Sequence, residues 1–225
     1  EKVLKKLKLN TNIGNEGGYA PDLKNDEQVL FLVNKAINQA GYRSGQQVKL
    51  ALDVAAAEFY NKDNQSYELK SERRKLSTDD MIKMYKAWVR KFPIISIEDG
   101  LDQDDWEGWE QLTTAMGRKT MLVGDDLFVT DVERLGKGIA NNVANAILIK
   151  VNQIGTVSET VDAIRLAQKS KYKVVISHRS GETTDDFISD LAVGSGAEFI
   201  KTGSTSRGER VVKYNRLMEI EDELK

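Results

Sequence analysis

Short apolar runs alternate with longer amphipathic segments along most of the chain. Six of these runs are typical of strands, and each leads to an ionisable residue. The predicted strands cover 48–52, 94–97, 120–123, 146–149, 173–177 and 198–200, and they lead to Asp53, Glu98, Asp125, Lys150, His178 and Lys201 respectively. The runs are apolar almost throughout, which indicates strands that are covered by helices.

The amphipathic segments between these runs predict helices. Apolar residues recur at helical spacing over 1–9, 26–40, 77–92, 104–116 and 210–224. Thr130 with Glu133, and Thr156 with Glu159, form Thr-x-x-Glu patterns that are typical of a helix amino terminus. A further helix is predicted to begin at Thr183.

The same spacing predicts which helix faces pack against the core. The core-facing residues are expected to be Val29, Leu32, Val33, Ala36, Ile37 and Ala40 in the first long helix, Met81, Met84, Tyr85, Trp88 and Phe92 in the next, and Val211, Tyr214, Leu217, Met218 and Glu221 in the last. The segment 61–75 is polar and charged, and we expect it to be a solvated excursion.

Strands that alternate with helices predict the α/β class with a parallel sheet and right-handed crossovers. A polar residue at the carboxyl end of every strand favours a (β/α) barrel of the TIM type, with about six βα units in residues 1–225. An open, doubly wound sheet is the alternative. It is disfavoured because the sequence has neither a glycine-rich dinucleotide loop nor a GxxxxGK phosphate loop.

Composition narrows the class of protein further. The chain has 33 basic and 35 acidic residues, so its net charge of −2 does not favour binding to nucleic acid or to anionic membranes. It has no cysteine, and no apolar run approaches the roughly 20 residues that span a bilayer. These features suit a cytoplasmic protein. Because the chain begins at Glu1 within a helix-like segment, we expect its amino terminus to be incomplete.

Three of the strand ends carry carboxylates. In a barrel the carboxyl ends of the strands meet at one mouth, so Asp53, Glu98 and Asp125 would lie close together. A divalent cation would relieve their mutual repulsion. An all-oxygen ligand set without histidine or cysteine favours Mg²⁺ over Zn²⁺, and Mn²⁺ is also compatible with it.

The remaining strand ends carry groups that bind anions and move protons. Lys150 and Lys201 follow two strands, and His178, Arg179 and Ser180 follow the strand between them. Arg179 could hold a phosphate in a fork geometry, and Ser180 could donate to the same phosphate. A lysine close to a divalent cation is shifted toward its neutral form, which is a base. These residues predict proton abstraction next to the carboxylate of an anionic, phosphorylated substrate.

Seven segments carry a resemblance to a known family. They are NEGGYAP (15–21), ALDVAAAEFY (51–60), SIEDGL (96–101), VGDDLFVT (123–130), LIKVNQIGT (148–156), SHRSGET (177–183) and IKTGSTSRGER (200–210). In this order and spacing they resemble the enolase family, of bacterial type, over the whole length of the chain. The resemblance identifies residues 1–225 with the carboxyl-terminal barrel domain of that family.

The resemblance implies a reaction and a role for each site residue. The reaction is the dehydration of 2-phosphoglycerate to phosphoenolpyruvate, in which two Mg²⁺ ions stabilise an enediolate. Asp53, Glu98 and Asp125 would ligate the tighter Mg²⁺, and the second Mg²⁺ site would be formed partly by substrate and Ser180. The other implied roles are Lys150 as the base at C2, Glu16 as the proton donor to the leaving C3 hydroxyl, His178 beside that hydroxyl, Arg179 and Ser180 on the phosphate, and Lys201 on the substrate carboxylate.

The resemblance also implies parts that lie outside residues 1–225. The family has an amino-terminal α+β domain, and its barrel begins with two further strands. That upstream part carries a mobile loop and further catalytic residues, so we expect the 225-residue chain alone to have little or no activity. Members of the family are homo-oligomers, and the same is expected of the full-length protein.

Two alternative functions are left open by the sequence. An acid-sugar dehydratase or racemase of the same superfamily would share the three carboxylates but would not need His178-Arg179-Ser180 as a phosphate clamp. A binding protein on the same scaffold could capture plasminogen through the terminal Lys225 or surface lysines. Such a role would go with a second location, at the cell surface or outside the cell.

Overall fold

The computed structural model describes residues 1–225. Its helices are α1 (Lys2–Lys6), α2 (Asp26–Gln39), α3 (Thr78–Lys91), α4 (Trp106–Met116), α5 (Val132–Ala140), α6 (Val151–Ile154), α7 (Val157–Lys169), α8 (Phe187–Gly194) and α9 (Gly208–Glu223). Its strands are β1 (Leu50–Asp53), β2 (Tyr60–Asn61), β3 (Ser66–Leu69), β4 (Arg74–Leu76), β5 (Ile94–Glu98), β6 (Met121–Gly124), β7 (Ala146–Ile149), β8 (Lys173–Ser177) and β9 (Phe199–Lys201). All six predicted core strands are present, within two residues of the expected bounds.

The chain divides into two compact units. Unit I comprises Leu23–Phe128 and Gly136–Asn145, and unit II comprises Glu1–Asp22, Val129–Leu135 and Ala146–Lys225. Each unit contains parallel strands with helices between them, which confirms the predicted α/β class.

In unit I the parallel strands are β1, β5 and β6, and β5 pairs with both of the others. The centre of this sheet is apolar: Ile97 and Leu122 are completely buried and Val123 nearly so. The edge strand β1 departs from the expected continuous burial, because Leu50 is buried whereas Ala51 is exposed.

The polar segment 61–75 was expected to be a solvated excursion, and that prediction is wrong. The segment contributes to a second, antiparallel sheet of β2, β3 and β4. Tyr67 anchors this sheet: its ring is completely buried, and its hydroxyl accepts the N–H of Asp102 at 2.9 Å. One buried aromatic and Leu69 are enough to bring the segment onto the core, although its other residues are mostly polar.

In unit II, β8 lies between β7 and β9, and all three strands run parallel. Every residue of β7 is buried, and only Lys173 of β8 is exposed. Here the apolar runs of the sequence correspond to strands with side chains covered on both faces.

Of the three predicted helix starts, one is confirmed, one has a different capping residue, and one lies four residues later. Thr156 caps α7 as expected, since its hydroxyl accepts the N–H of Glu159 at 3.2 Å. The cap predicted at Thr130 is wrong, because the N–H groups of Glu133 and Arg134 bind Asp131 instead. The helix expected from Thr183 begins four residues later, at Phe187.

Two predicted helix faces need correction as well. In α2 the buried residues are Leu30 and Leu32, whereas Val29 and Val33 are 42% and 43% exposed. In α9 Met218 is 57% exposed, and the buried face carries Arg210, Lys213 and Ile220. The buried face of α9 thus includes two charged residues, Arg210 and Lys213, which the predicted face does not contain.

No helix of the chain combines the length and the apolar character that crossing a membrane requires.

Candidate functional site

The predicted metal ligands all lie in unit I, at the carboxyl ends of its parallel strands. Asp53 and Glu98 are register partners in the β1–β5 pair, so their side chains leave the sheet on the same face. Glu98 is paired in turn with Val123, and Asp125 follows Val123 by two residues. Glu98 and Asp125 are buried, whereas Asp53 is exposed. The strand register therefore places these three acidic residues on neighbouring strand ends, and their joint binding of one metal ion stays a prediction.

A fourth carboxylate, Asp99, lies close to the end of β6. Carboxylate oxygens of Asp99, Asp125 and Asp126 lie within 4.8 Å of one another. The two oxygens of Asp99 accept the backbone N–H groups of Asp125 and Asp126 at 2.9 and 2.8 Å. Asp99 thus fixes the backbone that carries Asp125, a role that the sequence interpretation missed.

The electrostatics of Asp99 follow from this position. Burial raises the pKa of Asp99 to about 7, and the nearby carboxylates of Asp125 and Asp126 raise it as well. The two backbone N–H bonds act in the opposite direction. Such a cluster favours a cation. Its donors are all oxygens, which fits Mg²⁺ better than metals that prefer nitrogen or sulfur.

The candidate base, Lys150, lies in unit II directly after β7. Its backbone N–H donates to Thr130 Oγ1 at 2.9 Å, and the Thr130 hydroxyl donates to Gln153 Oε1 at 2.8 Å. Thr130 is completely buried and has a φ of 59°. The hydroxyl that was expected to cap α5 therefore holds the backbone of the candidate base.

Lys201 ends β9, which pairs with β8. It is the register partner of Ser177, and its carbonyl accepts the N–H of His178 at 2.9 Å. The two loops that follow β8 and β9 therefore begin side by side. This places Lys201 and His178 at the same sheet edge, as the sequence predicts.

Glu16, His178 and Ser180 come together in unit II, although Glu16 is distant from the other two in sequence. Ser180 Oγ donates to Glu16 Oε1 at 3.0 Å, and His178 Nε2 lies 3.4 Å from Glu16 Oε2. The His178 side chain is 1% exposed and the Glu16 side chain 43% exposed. A partly open carboxylate is therefore flanked by a buried imidazole and a hydroxyl.

Burial is the main cause that lowers the pKa of His178. Glu16 opposes this effect, whereas the positive charges of Arg210 and Lys201 reinforce it. The ring nitrogen Nε2 is buried and has no hydrogen-bond partner in the structure. The imidazole is therefore favoured in its neutral form, with one ring nitrogen directed toward Glu16.

Arg179, the expected phosphate ligand, is exposed at the start of the loop after β8. Its Nη1 donates to Asn152 Oδ1 at 2.7 Å, and its backbone N–H donates to Glu182 Oε1 at 3.0 Å. The guanidinium is thus directed toward α6, the short helix that follows Lys150.

The sequence interpretation missed the most connected side chain in this region, Arg210. It is completely buried and contacts the segments that carry Glu16, His178 and Ser180. A charged residue at a helix start usually indicates a solvent-facing position. The only signal in the sequence is that Arg210 shares a helical stripe with Lys213 and Ile220.

Comparison with known proteins identifies the family. A family model described as "Enolase, C-terminal TIM barrel domain" matches residues 1–225. An enolase from Wolinella succinogenes is 53% identical over 224 residues, which cover 100% of this chain and 53% of that protein. The chain thus spans about half the length of this curated relative. These matches confirm the expected resemblance and the barrel class, and the chain belongs to the enolase C-terminal TIM barrel domain family.

Proposed function

We propose that this chain is the catalytic domain of an enzyme that dehydrates 2-phospho-D-glycerate to phosphoenolpyruvate. The observation that carries the proposal is the grouping of Glu16 with His178 and Ser180, in the same unit as Lys150, which follows β7, and Lys201, which ends β9. A glutamate side chain that is partly open to solvent can, in its protonated form, donate a proton to a leaving hydroxyl. Membership of the enolase family supports the same reaction.

The proposed metal ligands are the acidic residues of unit I. Asp53, Glu98 and Asp125 would hold one Mg²⁺ through carboxylate oxygens, with Asp99 keeping the Asp125 backbone in place. A second Mg²⁺ would bind with substrate, partly through Ser180. Mg²⁺ bound to the substrate carboxylate would make the neighbouring carbon more acidic.

Lys150 is the proposed base. Its Nζ would take the proton from C2 of the substrate, which leaves the electron pair on the carbon next to the carboxylate. The contact between the Lys150 N–H and Thr130 fixes where the side chain starts. Lys201, at the carboxyl end of β9, would bind the substrate carboxylate.

Glu16 is the proposed acid for the second half of the reaction. The C3–O bond would break as Glu16 delivers a proton to the hydroxyl oxygen, and the electron pair left at C2 would form the new double bond. The hydroxyl would leave as water, and the product is phosphoenolpyruvate. His178 lies beside Glu16, and Arg179 and Ser180 would bind the phosphate.

Three wider expectations belong to the same proposal. The enzyme would act in the cytoplasm in glycolysis or gluconeogenesis, and it would be a homo-oligomer. Plasminogen capture at a cell surface is a separate expectation that depends on the terminal lysine. Lys225 is exposed, and its ammonium group contacts Asp222 at 2.8 Å.

The test is a turnover assay on two polypeptides. One is the 225-residue chain, and the other is the same chain joined to the amino-terminal half of the Wolinella succinogenes enolase. Phosphoenolpyruvate formation is followed by absorbance at saturating Mg²⁺, with an acid sugar as the competing substrate. We expect turnover of 2-phosphoglycerate by the chimera and little or none by the chain alone.

Matched lysine variants decide whether the activity belongs to the site. Lys150→Ala in the chimera should abolish turnover, whereas Lys169→Ala, an exposed position at the end of α7, should leave it unchanged. Turnover of the acid sugar but not of 2-phosphoglycerate would contradict the proposed substrate. Full activity of Lys150→Ala would contradict the proposed base.

A further inference from the structure

The guanidinium of Arg210 joins two segments of unit II that are far apart in sequence. Its Nη1 lies 2.7 Å from His178 Nδ1 and donates to the Arg179 carbonyl at 2.7 Å. Its Nη2 donates to the carbonyls of Ser180 and Asn15, at 2.7 and 3.1 Å. One buried cation is therefore bonded to the loop after β8 and to the residue that precedes Glu16.

The contact with His178 fixes the state of the imidazole. A guanidinium has only N–H donors, so the ring nitrogen that faces it must supply a lone pair. Nδ1 therefore carries no proton, and the single proton of the neutral ring lies on Nε2. An imidazolium would direct an Nδ1–H at the guanidinium N–H and bring two positive charges together.

Nε2 is the nitrogen that faces the candidate acid. It lies 3.4 Å from Glu16 Oε2, and it is buried without a hydrogen-bond partner. A buried N–H without a partner is costly, and a ligand oxygen next to Glu16 would satisfy it. The contact with Arg210 indicates the tautomer, and the unpaired Nε2–H that follows from it is the donor available to a ligand.

The segment that leads into α9 also holds the Glu16 loop. Four consecutive carbonyls of that loop accept hydrogen bonds from the segment 204–210. The donors are Arg207 Nε to Gly14 O, Arg210 Nη2 to Asn15 O, Ser204 N to Glu16 O and Ser206 Oγ to Gly17 O. The backbone of the candidate acid is therefore fixed by the same stretch of chain that fixes the histidine.

Gly203 lies between the Arg210 side chain and the Glu16 backbone, and the packing around it is tight. Gly203 has a φ of +83°, and a Cβ there would lie 2.8 Å from Arg210 Cδ and 2.9 Å from the Glu16 carbonyl oxygen. Only glycine fits between the arginine stem and the Glu16 backbone. The position of Arg210 is thus set by packing as well as by its hydrogen bonds.

We propose that Arg210 is a positioning residue that holds His178 as a neutral imidazole protonated on Nε2. His178 then acts as a fixed hydrogen-bond donor to a ligand oxygen beside Glu16, and it does not itself supply a proton. The tautomer is a property of the folded chain. The identification of the ligand oxygen with the leaving hydroxyl rests on the proposed function.

The chain offers a direct test because His178 is its only histidine. In the 225-residue chain labelled with ¹⁵N-histidine, every ring nitrogen signal in the NMR spectrum belongs to this residue. At neutral pH we expect one protonated and one unprotonated nitrogen, with the couplings to the ring protons assigning the proton to Nε2. A proton on Nδ1, or on both nitrogens, would overturn the proposal without any variant.

Two variants then identify the cause. Arg210→Met removes the donor to Nδ1, and we expect its spectrum to change to a mixture of tautomers. Lys213→Met is the matched control, because Lys213 is also a buried cation on α9 but binds Glu182, Thr183 and Glu209 instead. The control should keep the wild-type pattern. An unchanged tautomer in Arg210→Met would overturn the role of Arg210.

A second arginine variant covers the case of misfolding, and two further outcomes separate this inference from the proposed function. If Arg210→Met does not fold, Arg210→Lys keeps the positive charge and N–H donors but no acceptor, so it should retain the unprotonated Nδ1, and a proton on Nδ1 in this variant would overturn the role of Arg210. A chain with the expected tautomer, in a chimera that does not turn over 2-phosphoglycerate, would contradict the proposed function alone. A chimera that turns over the substrate with the proton on Nδ1 would contradict the inference alone.

Discussion

Thr130→Val is the change that most directly tests how the candidate base is held. Valine has nearly the shape of threonine and the same branching, so the cost of the φ of 59° is common to both residues. The substitution removes the acceptor of the Lys150 N–H and the donor to Gln153 Oε1. Gln153 is half-buried and can turn toward water, whereas the Lys150 N–H is fixed by the end of β7.

The expected magnitude follows from these two bonds. A buried donor left without a partner costs about 1–3 kcal/mol, and a lost neutral hydrogen bond adds about 1 kcal/mol. We therefore expect the free energy of unfolding to fall by about 2–4 kcal/mol. Urea denaturation of the wild-type and variant chains measures this difference, and an unchanged m value would show that the loss is one of stability.

Thr160→Val is the matched control for this experiment. Thr160 is also completely buried, but its hydroxyl donates to the carbonyl of Thr156, the residue that caps α7. Its removal leaves no N–H group without an acceptor, so we expect a loss below about 1 kcal/mol. Equal losses in the two variants would refute the role assigned to Thr130.

Two further substitutions test the acidic cluster and the second sheet. Asp99→Asn keeps only one of the two oxygens that accept the N–H groups of Asp125 and Asp126. The Mg²⁺ affinity measured by calorimetry should therefore weaken about 10-fold or more. An unchanged affinity would contradict the role of Asp99. Tyr67→Phe leaves the Asp102 N–H without its acceptor and should cost about 1–3 kcal/mol of unfolding free energy, whereas Tyr42→Phe, at an exposed ring, should cost almost nothing. Equal costs at the two tyrosines would contradict the role assigned to the Tyr67 hydroxyl.

The strands could be predicted from the sequence because their physical cause is local. A strand buried on both faces needs a short run of apolar residues, and β5 to β8 each provide one. The antiparallel sheet could not be predicted in this way, since its stability depends on a few contacts of a mostly polar segment. The Tyr67 hydroxyl bonds to Asp102, and nothing near Tyr67 in the sequence indicates that partner.

The helix starts also depend on nearby partners in one case and on a distant partner in another. Thr156 caps its helix with a residue three positions away, so the local pattern was sufficient. Thr130 fits the same pattern, but its hydroxyl bonds to Lys150, which is 20 residues away along the chain. The Thr130 hydroxyl therefore accepts the N–H of distant Lys150 and not that of nearby Glu133.

Some residues of the candidate site could likewise be predicted from the local sequence, and others could not. Asp53, Glu98 and Lys150 could be chosen from the sequence because each is a polar residue at the end of an apolar strand. The residues that hold the site in place could not be chosen. Asp99 and Arg210 bond mainly to backbone groups of distant segments, and such contacts leave no periodic signal.

The most direct test of the account separates the two proton transfers. The chimera is incubated with 2-phosphoglycerate in heavy water, and NMR follows both the exchange of the C2 proton and the formation of phosphoenolpyruvate. We predict that Glu16→Gln retains C2 exchange but forms almost no product, because only the acid is removed. Lys150→Ala should lose both activities. Wild-type exchange in Lys150→Ala, or wild-type product formation in Glu16→Gln, would contradict the roles proposed for these residues.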